Sequence, residues 1–191
     1  MHEKLQLRQK GQALAEFAIV ILVLLLIFFV IIEMSRILWG WVTVQSAARV
    51  GARYAITGQF DPGCVYADPP CEDPRVESIR ATTFARLTGL TLADDPNAKL
   101  EDNFSYFIEV YGINEYGQLQ ENFAGVPGQP VVVRVIYNVP IITPVLNGIV
   151  SNVPVMGQVT MNNEPFGQTG SVTTGQSVAP PLPPIPTAGY T

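Results

Sequence analysis

Glu16 is the residue whose chemistry disagrees with its surroundings. It interrupts GQALAEFAIVILVLLLIFFVII, in which Phe17 to Ile32 are sixteen consecutive apolar residues. A carboxylate in such a run costs a few kcal/mol at a bilayer centre and less near its edge, and by default it marks a functional site. One reading puts Glu16 in the first helical turns, where it complements the dipole and reaches headgroups. The other takes it as a functional group of the span. Glu33 and Arg36, three apart and therefore neighbours on a helix, form a second charged pair at the far end of the run. An interfacial ion pair is the ordinary reading and an intersubunit role the alternative. Cys64 and Cys71 are the only cysteines and share one short loop, where a disulfide is expected if that loop is exported. A metal would need further soft ligands, and the only histidine is His2. Asp61, Asp68, Glu72 and Asp73 lack the spacing of a calcium loop and read as a solvated acidic loop. No nucleophile–base grouping or phosphate-binding glycine loop is present. The expected chemistry is therefore pairing, not catalysis: no enzyme, no metal, no cofactor and no small-molecule substrate.

These residues need a long helix to position them. With Ala13 to Ala15 the apolar run reaches twenty residues, from 13 to 32, broken only by Glu16. At about 1.5 Å per residue that crosses a hydrocarbon layer of about 30 Å. Lys4, Arg8 and Lys10 precede the span, so the N-terminus should stay in the cytoplasm and the C-terminal part should be exported. Glu33 beside Arg36 weakens the contrary signal beyond the span. Residues 34–57 contain no proline, and Ile37, Trp41, Val44, Ala48, Gly51 and Ala55 draw one apolar face, with Gln45, Arg49 and Arg53 on a polar one. Gly58 suits the stop. A continuous helix over 12–57 would be about 69 Å long. Ala47, Gly51 and Ala55 allow close backbone approach, more readily to the chain's own outer domain than to a neighbouring helix. Trp39 and Trp41 suit a membrane interface.

Beyond Gly58 there are 13 Asp and Glu against 5 Lys and Arg, a balance that argues against nucleic acid and against a polybasic membrane patch. Val76, Ile79, Phe84 and Leu87 lie on a helical repeat, with Asp73 as cap, Pro74 at the first position and Gly89 as stop. Phe104–Tyr111, Val131–Val139 and Val153–Asn162 read as strands, separated by turn chemistry at 112–130 and by the Pro140–Pro144 break. The expected fold is α+β: a long N-terminal helix packed against a small antiparallel sheet of three or four strands, with one short extra helix. Residues 59–164 would form the outer domain. Residues 165–191, with six prolines, would form a flexible, partly polyproline tail or an arm laid on a neighbour.

The order Lys10-Gly11, four residues, Glu16, Phe17 and a long apolar helix resembles the prepilin signal of type IV pilins. The resemblance implies a leader over 1–11, cut by a prepilin peptidase between Gly11 and Gln12, and pairing of Glu16 with the new amine of a neighbouring subunit. Over a longer stretch, Gly11, Ala13, Glu16, Phe17, Glu33, Arg36, Ala47, Ala48, Arg49, Gly51, Ala52, Arg53, Tyr54 and Ala55 are similar to the N-terminal module of the TadE-like family of tight-adherence (Tad) pilus proteins. That resemblance implies a pilin-like structural subunit, a minor pilin or pseudopilin, in the cytoplasmic membrane, with other pilin-like subunits as partners through the helix. Glu16, Phe17, Glu33 and Arg36 would serve assembly. Two other readings stand: a principal filament subunit, and an uncleaved single-pass envelope protein whose outer domain binds a partner.

Overall fold

The computed structural model describes residues 2–66, 73–90 and 106–165. Helix α1 runs unbroken over His2–Ile56, 55 residues and about 83 Å. It begins ahead of the expected start at Gln12, because residues 2–11 contain no proline and several strong helix formers. At the other end the amides of Thr57 and Gly58 donate to the carbonyls of Tyr54 and Ala55, and Gly58 takes a φ of 68°. That left-handed residue is the stop read from the sequence.

A short 3₁₀ turn, Pro62–Tyr66, leads on to helix α2, Pro74–Phe84. The Asp73 carboxylate accepts from the Arg75 and Val76 amides, so the expected cap is in place. The helix ends at Phe84, earlier than the expected stop, and Gly89 serves instead in the turn that follows, with φ 80°. The sheet comprises β1, Tyr106–Ile113, β2, Leu119–Glu121, β3, Pro130–Pro140, and β4, Asn152–Asn162. All pairings are antiparallel, in the order β2-β1-β3-β4. The segment 112–130, read for its turn chemistry, also holds the three residues of β2, which makes four strands of the expected three or four. A one-turn helix α3, Pro144–Asn147, fills the link between β3 and β4. The cysteine pairing, Asp68 and Glu72 of the acidic loop, and residues 166–191 of the proline-rich tail lie outside the described residues.

Side-chain alternation explains the layering. Val131, Val133, Val135, Tyr137 and Val139 of β3 are buried on the face that meets α1, with Tyr106, Ile108 and Val110 of β1 beside them. From the helical layer Val44, Ala47, Ala48, Ala52 and Ala55 of α1, and Val76 and Ile79 of α2, complete one core. The small-residue stripe thus packs on the chain's own sheet. Trp41 does not share that face: it is exposed, and Gly40 occupies the buried position instead. Three glycines set the approach. A Cβ on Gly51 would meet Thr83 Oγ1 and Val133, one on Gly40 would press on Val139, and one on Gly157 would stand 2.7 Å from the Val44 carbonyl oxygen.

Candidate assembly and anchoring site

From Phe17 to Ile32 the large apolar side chains of α1 are exposed, with no cover from the other described residues. Gln12–Ile56 is long and apolar enough to cross a membrane, and its most apolar window is only 6% buried. Such a surface in water would be an unusually large apolar patch. At its N-terminal end Gly11 and Gln12 lie within regular helix. The Gln12 side-chain Nε2 donates to Glu16 Oε1 at 3.0 Å, one turn along, and Glu16 itself is exposed. Phe17 is 63% exposed.

The other charged pair has a different setting. Arg36 Nη1 donates to Glu33 Oε2 at 2.9 Å, so the expected i,i+3 pair forms. Glu33 is nevertheless only 2% exposed. Its Oε1 accepts from the Ile142 amide at 2.9 Å, the Thr143 amide at 2.8 Å and the Thr143 hydroxyl at 2.7 Å. Arg36 Nη1 also donates to the Pro140 carbonyl at 3.0 Å. Four donors on one carboxylate offset the cost of burying its charge. They also account for Thr143, which precedes α3 with no side-chain cap bond because its hydroxyl serves Glu33. Glu33 and Arg36 thus form a latch between the end of the apolar run and the β3–β4 link.

A second tie closes the far end of the same helix. Arg75 Nη2 donates to the Ala55 carbonyl at 3.3 Å, and the Glu164 amide donates to the Ile56 carbonyl at 3.0 Å. These satisfy carbonyls that a helix end leaves without partners. Arg75 also reaches the Gly125 carbonyl at 2.8 Å, and burial lowers its pKa against the opposing charge of Asp73. Between the two ties lie residues 33–55 of α1, a rise of about 33 Å. Strand β3 spans nearly the same length, at about 3.3 Å per residue. The C-terminal half of the helix is therefore bound to the sheet along its whole length.

On the opposite face of the sheet, Glu109, Arg134 and Gln158 stand side by side in register across three strands. Arg134 donates to Glu109 at 3.0 Å and to Gln158 at 3.2 Å, with its guanidinium 5.6 Å from the Tyr111 ring centre. Burial pushes the Glu109 carboxyl up, against the pull of Arg134, and pushes the Tyr111 phenol up as well. The sequence reading passed over this row. Its only signal was one acid and one base, each alone in an apolar strand, and nothing short of the register brings them together. Among the described residues no group of three His, Cys, Asp or Glu is placed to hold a metal.

No curated protein and no solved structure matches the chain. The model of the family described as TadE-like protein matches residues 11–53, from Gly11 through Glu16, Glu33 and Arg36 to Arg53, and over that stretch the resemblance drawn from the sequence holds.

Proposed function

We propose that the chain is a membrane-anchored, pilin-like structural subunit of a Tad-type pilus, a minor pilin or pseudopilin processed between Gly11 and Gln12. The observation that carries this reading is the coincidence of the matched stretch with a helix in two halves: one bare and apolar, the other bound to a folded domain. The bare half holds the subunit in the cytoplasmic membrane and later packs against the helices of other subunits. Lys4, Arg8 and Lys10 keep the N-terminus inside, so the sheet domain lies outside, and in the assembled pilus it is extracellular. Glu16 and Phe17 face outward and are available to a neighbour. Glu33 and Arg36 serve assembly by fixing how the outer domain sits on its helix, since the carboxylate is already filled from within the chain.

The test is the N-terminus of the protein recovered from membranes and from sheared filaments. It is expected to begin at Gln12, and Gly11→Val to retain Met1 or the residue after it. A wild-type chain that keeps its leader in both fractions would refute processing and, with it, the pilin-like assignment.

A further inference from the structure

Beside the latch, α1 and the sheet part to leave a cavity of about 390 Å³. Its volume falls within the range of about 300–1,000 Å³ common to small-molecule sites. Ile31 and Ile32, the last residues of the apolar run, form one end, and both are partly exposed. Val139 of β3 gives a buried apolar wall, and Trp39, 61% exposed, rims the opening. Arg36 stands at the polar end with about a third of its side chain exposed. Its Nη1 donates to Glu33 and to the Pro140 carbonyl, and the residue lines the cavity. The cavity is thus graded, apolar where it meets the membrane-spanning surface and cationic one turn further out.

That gradient, continuous with the span, selects the occupant. An apolar groove opening onto hydrocarbon is not stably filled by water, which needs polar partners. A guanidinium one turn above the hydrocarbon boundary lies at headgroup depth and suits a phosphate diester. We propose that the groove is a binding site for one glycerophospholipid, with an acyl chain along Ile31 and Ile32 and its phosphate on Arg36. The proposal rests on membrane anchoring alone and is independent of processing and filament assembly.

The test uses the full chain in nonionic detergent. It contains two tryptophans, so Trp41→Phe leaves Trp39 as the only reporter. Phosphatidylglycerol brominated on its acyl chains is titrated in, and Trp39 emission is expected to be quenched in a saturable phase ending at one lipid per chain. Ser35→Phe, placed on the exposed α1 side of the groove, should abolish that phase while leaving thermal unfolding unchanged. In a Trp39→Phe chain, Trp41 should report only the linear quenching of lipid dispersed in the micelle. Excess inorganic phosphate should leave the saturable phase intact, since the acyl chain carries the attachment. Three results would overturn the proposal. The first is linear quenching that Ser35→Phe does not alter, which means surrounding lipid only. The second is full displacement by phosphate, which means a simple anion site. The third is a dimer that Ser35→Phe dissociates, which makes a second copy the occupant.

Discussion

At the scale of single residues, the two acids at the ends of the apolar run have opposite fates. Glu16 was legible as an anomaly, and Glu33–Arg36 as a pair because three residues separate them. The rest was not, because the donors that bury Glu33 lie 109 and 110 residues further along the chain. No local pattern marks a backbone amide as the partner of a distant carboxylate. The geometry gives a graded prediction. Glu33→Ala leaves two amides and one hydroxyl without their acceptor, at a cost of about 2–4 kcal/mol. Thr143→Val removes one of the three donors and keeps the shape, so about 1 kcal/mol is expected. Thermal unfolding of both variants, with hydrogen exchange at the Ile142 and Thr143 amides, checks the order. Equal stability of Glu33→Ala and wild type would show that the latch contributes nothing.

At the scale of elements, the helix–sheet contact is governed by close approach more than by bulk. The repeat Ala47, Gly51, Ala55 was readable as a close-packing stripe, and its partner was readable as the chain's own domain. The misplacement of Trp41 has a physical source: its spacing from Ile37 and Val44 fits the stripe, but Gly40 takes the turn that faces β3. Only the register of β4 shows that Gly157 meets the helix backbone at Val44 and Gln45. Backbone has no rotamer with which to yield, so Gly157→Ala should cost about 1–3 kcal/mol by overpacking. Gly51→Ala should also destabilise, despite a gain in helix propensity of up to about 1 kcal/mol. There the obstacle is the Thr83 side chain, so adding Thr83→Ala should recover part of the loss, whereas it should recover nothing for Gly157→Ala. Chemical denaturation of the single and double variants separates the two cases. The three residues of β2 escaped notice because LQE carries no strand signal and forms only against β1.

At the scale of the whole molecule, the two halves of α1 belong to different solvents, and the boundary between them is at Glu33. The core begins with Ile37 and Gly40, and the unbroken run of exposed apolar residues ends at Ile32, although Met34, Leu38, Trp39, Trp41 and Val42 are exposed on the face turned away from the sheet. A chain starting at Ile32 should therefore be a soluble, folded monomer. One starting at Ile37 loses the latch and should melt roughly 10 °C lower. Calorimetry and light scattering on the two shortened chains test this, and an unfolded product from the first would show that the span supports the outer domain. The remaining question is what the exposed carboxylate at the other end is for. Glu16 makes one described contact, to the uncharged Gln12 side chain one turn away. Cutting after Gly11 would place a positive amine on Gln12 itself, within a turn of Glu16 in the same chain and within reach of Glu16 in a chain shifted along the axis. In a poorly solvated helix bundle, an amine and a carboxylate that meet relieve two burial costs together, whereas deleting one strands the other at about 3–5 kcal/mol. Glu16→Ala is accordingly expected to be cut normally, to reach the membrane with its outer domain folded, and to fall severalfold in sheared filaments relative to wild type. N-terminal sequencing and filament yield read the two effects separately, and undiminished filament yield would refute the role assigned to Glu16.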